Sequence, residues 1–308
     1  MIHIGVNIAA GLSHSPGGNV VDELVARTGE IAAAGVRTAW LSQGYDQESL
    51  TVLTAIAREV PGVELGASVV VVQPRHPRVL AAQAQTVQAA AHGRFVLGLG
   101  VSHPGLLEVY DVPFEKPVAA LRAHLDVLLP VLEGRRVPGA TGAGSDPAET
   151  TVRGAAPRVP VLLGALGPAM LRLAGERTEG TITFLAGSRT IGEHVVPTIT
   201  RAAEAAGRGR PRAVVGLPVA VTAEPDRVRT EVAAAYAGYA ALPSYRAALD
   251  RDGFADPGAI VIAGDEDAVA AGLHRYAALG ATDALVSPVG DEKERHRTLE
   301  LLGALSQP

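Results

Sequence analysis

The sequence predicts an α/β fold, and within that class a closed (β/α)8 TIM barrel with an insertion between strands four and five. Short runs of β-branched residues alternate along the chain with Ala-rich amphipathic stretches, which is typical of parallel strands joined by helices. Eight such strand–helix units fit into the 308 residues. Since a barrel of eight units takes about 250 residues or more, the length favours a closed barrel over an open sheet.

Each predicted strand is a short apolar run bounded by glycine or polar residues. The eight strands are residues 2–8, 36–42, 63–72, 94–100, 159–165, 180–186, 213–221 and 282–289. The helices are predicted at residues 20–35, 47–60, 75–93, 168–176, 190–206, 225–240, 265–279 and 291–305. The first helix ends at Gly35, where a left-handed cap is cheap for glycine, and Pro77 suits the first turn of the third.

Residues 134–158 form the one stretch rich in Gly, Pro and Ser, and they lie between strands four and five. This composition predicts a mobile insertion within a single domain of residues 1–308, rather than a linker between two domains. A short hairpin is expected near Thr150–Val152.

The composition argues against several classes of function. The net charge is −5 and the basic residues are not clustered, so a nucleic-acid partner is not expected. The chain has no cysteine, which excludes disulfides and thiolate chemistry, and its nine histidines lack metal-ligand spacing, so no metal is predicted. No apolar run reaches about 18 residues and no signal peptide precedes the first strand, so we expect a cytoplasmic protein without a membrane span.

In such barrels the active site forms at the carboxyl ends of the strands, and strand four ends in an unusual way. Its apolar run stops at Gly100 and continues into Val101, Ser102 and His103. Val101 and Ser102 offer amide and hydroxyl donors to a ligand. His103 is the candidate catalytic residue, although an isolated histidine is more often only a surface or core residue.

Strand five ends in "GALGP", residues 164–168. Gly164 and Gly167 would let a ligand approach the backbone, and the amides that follow Ala165 and Leu166 begin a helix, where an anion is favoured. An ordinary strand-to-helix turn explains the same residues, because a single glycine-rich turn is a weak signal.

At this point the residues resemble a known family. The segments "ELGASVVVVQPRHPRVLAAQAQTVQAAAHGRFVLGLGVSH" (64–103) and "VPVLLGALGPAMLRLAGERTEGTITF" (159–184) are similar to the bacterial luciferase-like superfamily. Within it, "RTIGEHVVPTIT" (189–200) and "LPSYRAALDRDG" (242–253) resemble an actinobacterial type of oxidoreductase that uses the 5-deazaflavin coenzyme F420. The resemblance covers essentially the whole chain, and it is more specific to family than to substrate.

The resemblance implies a deazaflavin at the strand ends that exchanges a hydride at its C5 carbon with a small carbonyl compound, alcohol or activated alkene. It implies a cis peptide bond between Ser68 and Val69, and a cofactor phosphate between Val101–Ser102 and Ala165–Leu166–Gly167. His103 stands where relatives can carry a carboxylic acid that donates a proton. A homodimer is the expected assembly.

One departure from the family pattern bears on the substrate. Strand two of many relatives ends in Ser-Asp-His, whereas this chain has Ser42-Gln43-Gly44. The change removes a possible acid/base pair and puts sugar-phosphate dehydrogenation in doubt. The substrate pocket is expected to draw on Asn7, Gln43, Tyr45, Tyr245 and Arg246. For Tyr245 and Arg246, helix packing and a solvated charge are equally good interpretations.

Two other functions remain open at this point. An FMN-dependent monooxygenase uses the same barrel, and fold alone does not separate it from a deazaflavin enzyme. A protein that has lost its cofactor site is the third possibility. The intact glycines at the strand ends argue against this third possibility.

Overall fold

Eight parallel strands close on themselves in the computed structural model, which describes residues 2–12, 18–44, 46–139, 141–142 and 144–307. The strands are β1 (His3–Asn7), β2 (Thr38–Leu41), β3 (Glu64–Val71), β4 (Phe95–Gly100), β5 (Val161–Gly164), β6 (Gly180–Phe184), β7 (Arg212–Val221), β8 (Ile262–Gly264) and β9 (Asp283–Pro288). Strands β1 to β7 pair in chain order, and β9 closes the ring by pairing with both β7 and β1. The predicted (β/α)8 barrel is therefore confirmed.

Strand β8 lies outside the ring of eight. It pairs with the carboxyl end of β7, where Val219 lies opposite Ile262. The sequence analysis did not predict this strand. It has three residues, which is too short to show an apolar period. The last predicted strand is consequently the ninth of the structure.

The helices surround the barrel. They are α1 (Val20–Ala33), α2 (Ser49–Glu59), α3 (Pro77–Ala90), α4 (Pro104–Glu108), α5 (Pro117–Leu132), α6 (Pro147–Thr150), α7 (Pro168–Arg177), α8 (Val196–Ala205), α9 (Pro225–Ala235), α10 (Ala237–Ala240), α11 (Pro243–Asp252), α12 (Glu266–Ala278) and α13 (Glu292–Leu305). A π-helix (Thr190–Val195) leads into α8, and a 3₁₀-helix (Pro257–Ile260) precedes β8.

Four helices were not predicted, and one prediction was too long. The missed helices are α4, α5, α6 and α11. Helix α5 carries a detectable signal, since Leu121, Leu125, Leu128 and Leu132 are buried at helical spacing after a first-turn proline. The helix predicted at 225–240 is broken at Tyr236, between α9 and α10.

The insertion contains the short helix α6, so the expected hairpin at Thr150–Val152 is wrong. Helix α3 holds this segment through Gln85, whose side chain donates to the Thr150 carbonyl (3.0 Å) and accepts from the Val152 amide (2.9 Å). Gln88, on the same helix, donates to the Pro157 carbonyl at 2.8 Å and so holds the end of the insertion. Mobility of the segment stays a prediction.

Trp40 fills the middle of the barrel. The strand register places Trp40 and Gly66 side by side on the inner face, and a Cβ atom on Gly66 or Gly5 would overlap the indole ring. The inner layer is completed by smaller apolar side chains, which are Val96, Leu162, Ile182, Val214 and Leu285. Glycines on neighbouring strands therefore make the space that the one large ring occupies.

Ion pairs close the amino end of the barrel. Arg212 donates through Nη2 to Asp283 Oδ1 at 2.5 Å and to Glu64 Oε1 at 3.2 Å. The Asp283 side chain is only 6% exposed, so its charge is compensated inside the protein rather than by water.

His124 on α5 makes stability depend on pH. Burial, together with the neighbouring His76, lowers the pKa of His124 to about 4, from about 6.5 in an unfolded chain. Protonation thus favours unfolding, and the contribution is fully present above about pH 6.5 and is lost as the pH falls toward 4. The free energy of unfolding of the wild type should fall between pH 7 and 4, and His124→Leu should reduce this fall by up to about 3 kcal/mol. Urea unfolding across this pH range measures the difference.

The control for this prediction is His296→Gln. The His296 side chain is 73% exposed, so this variant controls for the replacement of a histidine that is not buried. Identical slopes for His124→Leu and wild type would show that His124 does not carry the effect.

Candidate active site

A bulge in β3 forms the floor of the site. Ala67 pairs with Leu97 and Val70 pairs with Leu99, so Ser68 and Val69 together oppose one residue of β4. The peptide bond between Ser68 and Val69 is cis, which confirms what the family resemblance implied.

The Val69 side chain points into the barrel and fills space left by glycines. A Cβ atom on Gly100 would overlap Val69 Cγ2, and one on Gly98 or Gly164 would lie 3.2 or 3.4 Å from Val69 Cγ1. Gly164 was predicted to let a ligand approach the backbone, and Gly100 was a predicted cofactor-binding residue. In the structure the missing side chain of Gly100 makes room for Val69, whereas a Cβ atom on Gly164 would make only an ordinary contact with it.

The turn after β4 is held by a side chain from the loop that follows β3. Gln73 donates through Nε2 to the Val101 carbonyl at 2.6 Å, and Ser102 has a φ of 58°, in the left-handed region. His103 follows in extended backbone as the N-cap of α4. Gln73 Oε1 is buried with no hydrogen-bond partner among the residues that the structure describes. The sequence analysis missed Gln73, although it directly follows the β3 motif.

The turn after β5 leaves a helix end open. Gly167 is the N-cap of the ten-residue helix α7, no described side chain caps that end, and its first turn contains no acidic residue. No described atom lies within 4 Å of where a Gly167 Cβ would be. The free amides of α7 and its dipole therefore favour an anion at this position.

Helix α13 shows the opposite arrangement at the same rim. The Asp291 carboxylate accepts from the Glu294 amide at 2.9 Å, and the Glu294 carboxylate accepts from the Asp291 amide at 2.8 Å. This capping box satisfies the amino end of α13 with the protein's own negative charge.

His194 and Arg251 flank the open turn, and the sequence analysis missed both as site residues. His194 Nε2 lies 3.1 Å from the Leu166 carbonyl oxygen and donates to it. Burial and the nearby Arg251 charge lower the pKa of His194, partly opposed by this hydrogen bond. Asp252 fixes the arrangement, since it accepts from the Gly187 and Thr190 amides, each at 2.9 Å. No sequence motif marks these contacts, which join separate helices.

The remaining strand ends place polar groups around the mouth. Asn7 donates to Ser287 Oγ at 3.2 Å, which links the ends of β1 and β9. The hydroxyl oxygens of Ser42 and Ser68 lie 3.5 Å apart. Gln43 Oε1 is buried and, within the described ranges, has no partner. Tyr45, the other residue predicted after β2, lies outside the described residues.

An aromatic cluster stands on the side of β6, and we call it the aromatic wall: Phe184, Tyr236, Tyr239 and Tyr245. Tyr239 is its centre, with ring centroids 5.6 Å from Phe184, 5.9 Å from Tyr236 and 5.1 Å from Tyr245, all edge to face. The His103 ring lies 6.5 Å from Tyr239 in the same geometry. The structure thus brings Tyr245 and His103 together, as two predicted site residues.

Arg246 is not brought into the site. Its guanidinium donates to Asp250 Oδ1 at 2.9 Å and to the carbonyls of Phe254 (2.7 Å) and Ala255 (2.9 Å). These bonds hold the connection that follows α11, so the guanidinium of Arg246 is paired within its own helix and loop.

The part of the chain that the structure describes contains neither a cluster of metal ligands nor a membrane-spanning helix. No three His, Asp or Glu side chains gather closely enough to hold a metal ion. Among the described helices, none combines the length and the apolar character needed to cross a membrane.

The fold and the position of these groups define the class of the protein. It is a (β/α)8 barrel whose candidate site lies at the carboxyl ends of the strands. The model of the luciferase-like monooxygenase family matches residues 2–294. The chain belongs to this family.

Two relatives show the range of similarity. The 5,10-methylenetetrahydromethanopterin reductase of Methanopyrus kandleri is 25% identical over 317 residues, which is 87% of this chain and 89% of that protein. A Mycobacterium tuberculosis protein named as a coenzyme F420-dependent oxidoreductase is 31% identical over 176 residues, or 52% of this chain and 50% of that protein. This second similarity spans only about half of each chain.

Solved structures share the fold. The coenzyme F420-dependent tetrahydromethanopterin reductase from Methanopyrus kandleri superposes with a TM-score of 0.79 at 22% identity, covering 98% of this chain and 97% of the other. The monooxygenase RslO1 from Streptomyces bottropensis superposes with a TM-score of 0.76 at 16% identity, covering 98% of both chains. At these identities the similarity establishes the common barrel.

The packing of Val69 against Gly100 predicts a coupled pair of substitutions. Gly100→Ala should destabilise the protein by about 1–3 kcal/mol, because the stiff Val69 side chain cannot move aside. In a Val69→Ala background the added methyl group meets free space, so the cost should be much smaller. Urea unfolding of the four proteins in this cycle measures the coupling. An equal cost in both backgrounds would contradict the packing.

Proposed function

We propose that the protein is a coenzyme F420-dependent oxidoreductase that transfers a hydride between the deazaflavin C5 and a small organic carbonyl compound, alcohol or activated alkene. The observation that carries this proposal is the uncapped amino end of α7, which faces open space at Gly167 beside the turn of Val101 and Ser102. Relatives named as F420-dependent enzymes favour the deazaflavin over FMN.

The described residues fit such a cofactor. The amides around Leu166 and Gly167, with the Ser102 hydroxyl, would hold its phosphate. His194 supports this loop from behind through the Leu166 carbonyl. Ser68 and Val69 would lie against the ring system. Gln43 Oε1 and Gln73 Oε1 are buried without a hydrogen-bond partner among the described residues, and they would accept hydrogen bonds from ring N–H groups of the cofactor.

When bound, the deazaflavin supplies a carbon that can donate or accept a hydride. Reduction of a carbonyl compound also requires a proton on oxygen, and a group that titrates near neutral pH suits that task. His103 is our candidate, because it stands at the rim beside the aromatic wall and its imidazole can hold and release a proton. Tyr45 and water are the alternative donors.

Titration with each cofactor tests the proposal. We expect purified protein to bind coenzyme F420 more tightly than FMN, as measured by quenching of cofactor fluorescence. Tight FMN binding without deazaflavin binding would contradict the proposal and favour a flavin-dependent monooxygenase.

Substitutions at Gly167 test the anion site within the same titration. Aspartate and asparagine fit the open space equally and are both good N-caps, so the two variants differ only in charge. Gly167→Asp should weaken cofactor binding about 100-fold or more through repulsion, while Gly167→Asn should stay within about tenfold of wild type. If Gly167→Asp binds like Gly167→Asn, the phosphate does not lie at this helix end.

His103 has a separate test. His103→Ala should lower kcat by about 10²- to 10⁴-fold, with cofactor affinity nearly unchanged, because the imidazole is proposed to act on the substrate proton alone. Steady-state kinetics and the cofactor titration measure the two effects, with His296→Gln as the control. Loss of affinity with preserved kcat would make His103 a cofactor ligand, and the proton donor would have to be another group.

A further inference from the structure

The aromatic wall spans the mouth of the barrel between two strand ends. Phe184 ends β6 on the inner face of the barrel, opposite Gly216 of β7. Tyr239 contacts Phe184 on one side and His103, after β4, on the other. The wall therefore runs from the end of β6 to His103 after β4, so a substrate that reaches His103 also meets Tyr239.

The elements that carry the wall bring no free cation to it. Besides β6, these are α9, α10 and α11, which hold four arginines, Arg227, Arg229, Arg246 and Arg251. Arg227 pairs with Glu231 at 2.8 Å, Arg229 with Asp226 at 2.8 Å and Arg246 with Asp250 at 2.8 Å. The Arg251 charge acts on His194, whose ring bonds the Leu166 carbonyl in the turn after β5.

The wall is also without negative charge. Burial raises the pKa of Tyr245, and burial with the neighbouring Tyr239 raises that of Tyr236, so both phenols stay protonated at neutral pH. A phosphate or carboxylate placed against these rings would lose water and gain no arginine partner from the described elements that carry the wall, which is costly. A planar, neutral group would gain ring contacts instead.

We propose that the aromatic wall binds the non-reacting part of the substrate and selects neutral, planar, carbon-rich compounds, such as aryl ketones, cyclic enones or the corresponding alcohols. Phosphorylated and carboxylated substrates are rejected. The inference rests on the proposed function, because it assumes that the reacting group is a carbonyl, alcohol or alkene at His103. It adds that Tyr239, the residue in contact with every other ring of the site, determines specificity.

Ligand-observed NMR with defined probes tests the inference. Acetophenone and 2-cyclohexen-1-one represent the neutral class, and glucose 6-phosphate and pyruvate represent the charged class. Saturation transfer is recorded with the protein alone and with coenzyme F420 present. We expect the neutral probes to bind, and the charged probes to bind at least about tenfold more weakly.

Variants assign the effect to the wall. Tyr239→Leu should weaken acetophenone binding about tenfold or more, whereas Tyr239→Phe keeps the ring and should stay within about threefold of wild type. Phe184→Leu gives a second test at the other end of the contact, should Tyr239→Leu not fold. Thermal unfolding of each variant checks its integrity.

The outcomes separate this inference from the proposed function. Charged probes that bind as tightly as acetophenone would overturn the inference, as would folded Tyr239→Leu or Phe184→Leu variants that bind acetophenone like wild type. Failure of coenzyme F420 to bind would overturn the proposed function. In that case, selective binding of the neutral probes to the protein alone would still support the specificity of the wall.

Discussion

The Val69 side chain occupies the space that Gly100 leaves at the carboxyl end of the barrel, and the shape of the site depends on this packing. The β3 bulge adds one residue to the strand and turns Val69 inward, where it also lies near Gly98 and Gly164. Trp40 fills the layer below in the same way, against Gly5 and Gly66. In both layers a large side chain is thus accommodated by glycine on a neighbouring strand.

The two sides of the site, on either side of Val69, differ in the charge that they favour. The turn after β5 offers helix amides, with His194 and Arg251 behind them, and suits an anion. The side of β6 offers only rings. Because the amino end of α13 is closed by its own carboxylates, it does not compete for the same anion. A ligand with a charged tail and a neutral reaction partner can thus be oriented in one sense only.

The sequence contains enough to predict the barrel and the rim but not the contacts across it. Buried β-branched runs such as 63–72 and 213–221 identify strands by themselves, and parallel strands bring their carboxyl ends to one rim. The glycines of β4 and β5 signal a close approach, yet only the structure shows that Val69 is the neighbour at Gly100. The link from Gln73 to Val101 was equally hidden, since a glutamine after a strand has no fixed partner.

The aromatic wall shows why such contacts escape a reading of the sequence. Tyr236 lies at the break between α9 and α10, Tyr239 lies on α10 and Tyr245 lies on α11. The unbroken helix predicted at 225–240 would have directed the side chains of Tyr236 and Tyr239 differently. Tyr239 contacts His103 only because closure of the barrel brings the segment after β7 near the end of β4.

If the proposed function holds, the contact between Tyr239 and His103 links substrate selection to proton transfer. A planar ketone that rests on aromatic rings keeps its oxygen at the ring edge, because contact with the rings uses its faces. The His103 imidazole stands edge to face with Tyr239, at the border of the same surface. A substrate held by the wall therefore presents its oxygen near a group that can protonate it, and a substrate that cannot use the wall loses orientation as well as affinity. Specificity at Tyr239 would then appear in kcat as well as in KM, since the contact that selects the molecule also aligns it for reaction.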